Sequence, residues 1–212
     1  MELRTNRMLA NRLEDVKGIH GLTCVPDYIS AAEERDLLEL IDRNRWSSEF
    51  KRRVQHYGYR YDYRRRNVPE SGYLGMLPGW LQALAERLQY DGLIAETPDQ
   101  CVINEYLPGQ GIATHVDSIP CFGDTVLALS LGSFCVMEFS HTACSLKLPV
   151  LLQPRSLLVM TGQARYKWRH GIPARKSDRY EGMVFPRSRR VSITFRKALV
   201  DMAVAASELK YA

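Results

Sequence analysis

Residues 189–197 read RRVSITFRK. In an extended chain this alternation puts Val191, Ile193 and Phe195 on one face, and Arg190, Ser192, Thr194 and Arg196 on the other. The apolar face belongs against a core. The polar face offers two guanidinium groups separated by small hydroxyl side chains, an arrangement that is unremarkable in water and costly inside a protein unless an anion meets it. Similar short runs precede it: CVINEYL (101–107), TVLALSLGS (125–133), FCVMEFS (134–140), VLLQP (150–154), SLLVMTG (156–162) and YKWRHGI (166–172). So many strands in sequence, with no helical pattern between them, argue for a β-sandwich or jelly roll and against a parallel α/β sheet.

The first hundred residues have a different texture. Ser30 and Glu33 make a capping box, and Leu37, Leu38 and Ile41 follow at helical spacing, which predicts a helix from Ala31 to Asn44. GWLQALAERLQYDG (79–92) predicts a second amphipathic helix, with NVPESGYLGMLPG (67–79) as the loop before it. Between the helices lies RRVQHYGYRYDYRRR (52–66), with tyrosine at every second position from Tyr57 to Tyr63, which predicts a strand or hairpin with all four rings on one face. The fold class is therefore mainly β with flanking helices (α+β): a jelly-roll core preceded by a helix and a hairpin.

A chain of 212 residues, 45% of them hydrophobic, is enough for one domain with a sizeable core. Lys plus Arg number 29 against 24 Asp plus Glu, a formal charge of +5. Much of the excess sits in the clusters Arg52–Arg53, Arg64–Arg66 and Arg187, Arg189, Arg190, which suit a phosphate-bearing partner. Five cysteines, an odd number with no CxxC pair, predict buried free thiols in a reducing compartment. The opening MELRTNRMLANRLEDVK lacks the apolar stretch of a secretory signal, and no run is long enough to span a membrane. The expectation is a monomer in the cytoplasm, or in the nucleus of a eukaryote, without membrane attachment.

The sharpest chemical feature is THVDSIP (114–120), where His115 and Asp117 stand two apart and can approach one metal from the same face of an extended chain. A facial iron(II) site needs a second histidine. His170, at what reads as a strand end in YKWRHGI, is the stronger candidate, and His141 in the polar turn FSHTACS the weaker. Two inward arginines suit a small dicarboxylate, because a guanidinium pairs with a carboxylate through two parallel hydrogen bonds. The dicarboxylate that accompanies such an iron site is 2-oxoglutarate. Asn104 and Tyr106 share a strand face in CVINEYLPGQG and offer an amide and a hydroxyl for the remaining hydrogen bonds.

The order NEYLPGQGIATHVD, SLGSFCVMEF, RSLLVMTGQARYKWRHGI, RRVSITFRK resembles the AlkB family of iron(II) and 2-oxoglutarate dioxygenases, from about residue 21 to 199. The resemblance implies a double-stranded β-helix with Fe(II) held by His115, Asp117 and His170. It implies 2-oxoglutarate held by Asn104, Tyr106, Arg190 and Arg196, with O2 as the second cosubstrate and succinate and CO2 as products. Ser192 stands where the family signature commonly has Asn, and Ile119 where its DNA-repair members carry an acid. The implied divisions are an N-terminal extension (1–20), the dioxygenase domain (21–199, with helices and a nucleotide-recognition lid to residue 99 and the jelly roll from 100) and a C-terminal tail (200–212).

The lid position falls on the tyrosine-rich segment, so Arg53, Tyr57, Tyr59, Tyr61 and Arg64 are the expected substrate contacts. The implied function is hydroxylation or oxidative demethylation of a modified or alkylated base, with RNA or tRNA ahead of single-stranded DNA. The motifs sit nearest the oxygenase domain of the tRNA wobble-uridine modifier, whose companion domains are absent from this chain, so a protein partner for substrate delivery is a further expectation. The alternatives are a protein or small-molecule hydroxylase, and a non-catalytic nucleic-acid-binding module.

Overall fold

The computed structural model describes residues 13–200. Most of the expected N-terminal extension and C-terminal tail lies outside them. In chain order the elements begin β1 (Glu14–Asp15), β2 (Leu22–Val25), α1 (Ala31–Arg43), β3 (Val54–Tyr57), α2 (Gly79–Tyr90), β4 (Gln100–Tyr106), β5 (Ile112–His115) and β6 (Phe122–Gly132). They continue β7 (Cys135–His141), β8 (Lys147–Leu152), β9 (Leu157–Met160), α3 (Gly162–Tyr166), β10 (Trp168–Ile172), β11 (Ser177–Tyr180), β12 (Met183–Pro186) and β13 (Arg190–Ala198). A larger sheet runs β1-β2-β9-β6-β13-β4-β3, a smaller one β5-β10-β7-β8, and β11 and β12 form a separate hairpin.

The alternation in RRVSITFRK places β13 in the middle of the larger sheet, antiparallel to β4 on one side and β6 on the other. Val191, Ile193 and Phe195 are fully buried on its outer face, where α1 and α2 cover them with Ile41, Leu81 and Leu88. Each such side chain contributes about 1.5–3 kcal/mol on burial. The opposite face lines the space between the two sheets, where Tyr106, Val126 and Leu158 meet Phe139, Leu152 and Trp168 of the smaller sheet in a second core. Two sheets enclosing one interior are the jelly-roll core expected from the sequence.

Helix α1 starts as predicted: the Glu33 amide donates to Ser30 Oγ and the Ser30 amide donates to Glu33 Oε2 at 2.7 Å. Its end is one residue earlier than predicted, since Asn44 is already extended and caps the helix by donating to the Ile41 carbonyl.

The tyrosine-rich segment departs from expectation. Strand β3 stops at Tyr57 because Gly58 takes φ +74°, and a Cβ there would collide with the Asp99 carbonyl. Beyond it the chain folds on itself through pairings of Tyr59 with Tyr73 and of Asp62 with Asn67, so the four rings do not share a face. Strands β5, β11 and β12 and the short helix α3 were not expected from the sequence, and α3 interrupts the run of strands between β9 and β10. Since β2 pairs with β9 and β3 with β4, the chain on either side of residue 100 shares one sheet. All five cysteines are free, and Cys101, Cys121 and Cys135 are buried. Among the described residues no helix is long and apolar enough to cross a membrane.

Candidate active site

His115 ends β5 and pairs across the sheet with His170 of β10. Gly171 makes this close approach possible, because a Cβ there would press to 2.9 Å from Thr114 on the neighbouring strand. Asp117 lies on the loop that follows β5. The ligand-type atoms of His115, Asp117 and His170 all lie within 4.8 Å of one another, and no other such group of three occurs among the described residues. His141 takes no part: its ring stands against Trp168, with Cys144 Sγ 3.3 Å from Nδ1.

Local chemistry prepares this trio for a cation. His115 Nδ1 lies 2.9 Å from the Ala113 carbonyl, which can only accept, so Nδ1 is the donor there and Nε2 is the nitrogen left to ligate. Burial pushes the His170 imidazole down to about 4, against the pull of Asp117, and leaves it neutral near pH 7. Burial alone would raise the Asp117 carboxyl, but Arg196, then His170, His115 and Arg165, hold it well below the usual carboxylate range. Arg196 Nη2 donates to Asp117 Oδ1 at 2.7 Å, while the buried Oδ2 has no hydrogen-bond partner. A buried carboxylate oxygen without a hydrogen bond, 3.7 Å from His170 Nε2 and beside a second imidazole, is a fit for Fe(II), a divalent ion that takes two histidines and one carboxylate.

The second cluster lies along β13 and β4. Arg190 is cross-strand from Tyr106 and Arg196 from Gln100, with the small Ser192 and Thr194 between them. Arg190 is buried, yet only Nη2 is used, donating to Ser130 Oγ at 2.8 Å, and Nε and Nη1 have no partner. Arg196 donates to Gln100 Oε1 as well as to Asp117, and its Nε is also unpartnered. Tyr106 is buried with the Arg190 guanidinium 5.5 Å from its ring centre, and burial raises its hydroxyl so that it stays protonated. Asn104, Tyr106 and Arg190 thus gather around unspent donors, while Arg196 stands at the other end of the face against Asp117.

The expected substrate residues divide. Arg53 faces away from the trio: Nε and Nη2 grip Glu105 at 2.6 and 2.7 Å, and its guanidinium lies 4.9 Å from the Trp46 ring centre. Glu105 sits on the outer face of β4, opposite Asn104 and Tyr106. Tyr57 is on that outer face too, packed edge-on against Trp80 and donating to Gln55 Oε1. These two residues are corrected to structural partners, since the pairing register of β3 with β4 aims both outward. Tyr59 packs 5.0 Å from Tyr73, and Tyr61 lies 5.7 Å from Phe122 and 5.0 Å from Tyr63. Arg64 is exposed, its amide donating to Asp62 Oδ1.

Residues the sequence did not single out complete the mouth. Phe122 carries the Arg196 guanidinium 4.8 Å from its ring centre, and Tyr63 packs 5.0 Å from Phe50, over which Arg52 lies at 5.1 Å. The arc Phe122, Tyr61, Tyr63, Phe50, Arg52 therefore begins beside Asp117 and ends beside Asn104, to whose Oδ1 Arg52 Nε donates at 2.9 Å. Arg165 of α3 is equally unforeseen. Its buried guanidinium donates to the carbonyls of Asp117, Ser118, Phe122 and Gly123, fastening the whole loop that carries Asp117. Of the C-terminal arginines expected to meet phosphate, Arg187 is buried on Asp178 and Arg189 is shared between Asp42 and Glu105.

A sequence profile of the 2OG-Fe(II) oxygenase superfamily matches residues 43–196. The "Alkylated DNA repair protein ALKBH8 homolog" of Arabidopsis thaliana is 38% identical over 202 residues, covering 84% of this chain and 58% of that protein. The "tRNA (carboxymethyluridine(34)-5-O)-methyltransferase alkbh8" of Xenopus tropicalis is 42% identical over 201 residues, 84% of this chain and 31% of that protein. "Uncharacterized protein L905" of Acanthamoeba polyphaga mimivirus is 34% identical over 195 residues, 90% of both. The chain thus spans little more than half of the first relative and about a third of the second. Among solved structures, "The structure of OsALKBH1" superposes with a TM-score of 0.63 at 16% identity over 87% of this chain and 99% of that one, a likeness of fold. The chain belongs to the 2OG-Fe(II) oxygenase superfamily, among its AlkB-like members, and is a dioxygenase that depends on Fe(II), 2-oxoglutarate and O2.

Proposed function

We propose that the chain oxidises a modified or alkylated base in nucleic acid, with tRNA the favoured carrier. The observation that carries this reading is the aromatic arc Phe122, Tyr61, Tyr63 and Phe50, which joins the His115, Asp117, His170 trio at Arg196 and is bordered by Arg52 and the exposed Arg64, Arg65 and Arg66. Aromatic rings stack on an unpaired or flipped base, and arginines around them meet its phosphates. The names of the Arabidopsis and Xenopus relatives add alkylated DNA and a tRNA uridine as the chemistry of similar proteins.

In this reading His115 Nε2, His170 and Asp117 Oδ2 hold Fe(II), which when bound with 2-oxoglutarate and O2 supplies the oxidising power for a C–H bond. Arg196 keeps Oδ1 of Asp117 occupied so that Oδ2 is presented, and Arg165 keeps the loop from moving. Arg190 takes a carboxylate of 2-oxoglutarate through its unpartnered Nε and Nη1, with the Tyr106 hydroxyl and the Asn104 amide donating beside it. The small Ser192 and Thr194 leave the cosubstrate room between the two arginines. Phe122 and the tyrosines limit water at the mouth and orient the base edge toward the trio. Oxidation of an N-methyl group leads to its loss as formaldehyde; oxidation of a carbon substituent leaves a hydroxylated base.

Mass spectrometry of nucleosides from tRNA and DNA of cells with and without the gene tests this. The expected result is one nucleoside of tRNA that changes by a hydroxyl or a methyl group. Unchanged digests of both nucleic acids would contradict it and turn attention to a protein or small-molecule substrate.

A further inference from the structure

Arg52 is half-buried two residues before β3, and the backbone on both sides of it is tied down. Gln110 Nε2 donates to the Lys51 carbonyl at 2.8 Å, and the Glu105 amide donates to the Arg53 carbonyl at 3.0 Å. Its side chain is also fixed. Nε donates to Asn104 Oδ1, and the guanidinium lies over two rings, 5.1 Å from the centre of Phe50 and 6.0 Å from that of Tyr106. A guanidinium can only donate, so the Asn104 oxygen must be the atom that faces it, and the two amide hydrogens must face the other way. The other way is the interior face shared with Tyr106 and Ser192, next to Arg190.

The same geometry puts two cations on one ring. Arg190 lies 5.5 Å from the centre of Tyr106, and Arg52 6.0 Å from it. Two guanidinium groups brought to one aromatic side chain repel unless negative charge lies near both. Neither has a carboxylate partner among the hydrogen bonds of the described residues: Arg52 is bonded to an amide and Arg190 to a hydroxyl.

We propose that Arg52 is a positioning residue for the cosubstrate: by holding the Asn104 oxygen it aims the Asn104 amide N–H into the pocket, toward the unpartnered nitrogens of Arg190. The proposal rests on the reading that Asn104, Tyr106 and Arg190 hold 2-oxoglutarate. Arg52 sits at the end of the aromatic arc, so the residue that orients the cosubstrate's donor also borders the substrate mouth.

The test is the affinity of 2-oxoglutarate for the full chain loaded with Mn(II), read by titration calorimetry without turnover. Arg52→Ala is expected to weaken binding about tenfold, the loss of one charge-assisted hydrogen bond, with Mn(II) affinity unchanged. Arg52→Gln places an amide N–H where Arg52 Nε now stands and is expected to stay within about threefold of the wild type. In an Asn104→Ala background, Arg52→Ala is expected to add less than about threefold. Binding unchanged in Arg52→Ala, an Arg52→Gln protein as weak as Arg52→Ala, or a full tenfold added on top of Asn104→Ala would each overturn the proposal. If Asn104→Ala and Arg190→Ala both bind 2-oxoglutarate like the wild type, the underlying pocket assignment fails instead.

Discussion

The two faces of β4 hold arginines of opposite kinds. On the outer face Glu105 is gripped by Arg53 through two hydrogen bonds and by Arg189 through a third, and Arg189 goes on to Asp42. On the inner face Arg190 is more deeply buried, meets no carboxylate and leaves two nitrogens unpartnered. Burying an unpaired charge costs several kcal/mol, so the inner arginine is tolerated only where a ligand completes it, while the outer ones are already complete. An arginine's surroundings, more than its burial or its place in a basic cluster, separate a binding residue from a structural one.

The comparison can be broken from either side. The largest effect belongs to the inner face: Arg190→Ala should cost about 3 kcal/mol of 2-oxoglutarate binding, more than a hundredfold in affinity, with thermal stability preserved or improved. An unchanged affinity would end the distinction. On the outer face, replacing Arg53 and Arg189 together by Ala strands the buried Glu105 and should cost about 2–3 kcal/mol in urea unfolding, while 2-oxoglutarate affinity stays as it was. The pH dependence has a definite sign. The Arg53 hydrogen bonds, and then Arg189, hold the Glu105 carboxyl below its ordinary value, so this stabilisation is present above about pH 4.3 and is lost as pH falls below it. In the double variant that acid-side slope should flatten.

Smaller effects sharpen the picture. Arg165→Lys cannot reach four carbonyls with one ammonium, and should weaken Mn(II) binding about tenfold by loosening the loop that presents Asp117. Metal affinity equal to wild type would show that the loop holds itself. Arg64→Ala should weaken tRNA binding only about two- to threefold and reduce its salt dependence, leaving succinate formation without nucleic acid intact. A loss of that basal turnover would place Arg64 in the wrong role.

The sequence revealed what repeats at short range. The alternation of β13, the capping box of Ser30 and Glu33, and the two-residue spacing of His115 and Asp117 are local patterns, and the structure keeps each of them. Long-range pairing was hidden. Nothing near Arg53 indicates that its partner is Glu105, 52 residues away, and nothing in GQARY shows that Arg165 will serve a loop more than forty residues upstream. The tyrosine alternation misled because one glycine, Gly58, ends the strand after Tyr57 and redistributes the later rings. Strand β5 stayed invisible because its four residues are half exposed and carry no apolar pattern, although they end in a member of the trio.

The trio itself is tested most directly by succinate formed from 2-oxoglutarate in air by the purified chain with Fe(II) and ascorbate, compared with His115→Ala. Steady turnover in the wild type and a fall of more than about a hundredfold in the variant are predicted, since removing one of three protein ligands leaves too few to hold the ion. Equal turnover in the two proteins would contradict the assignment of His115, Asp117 and His170 as the metal centre.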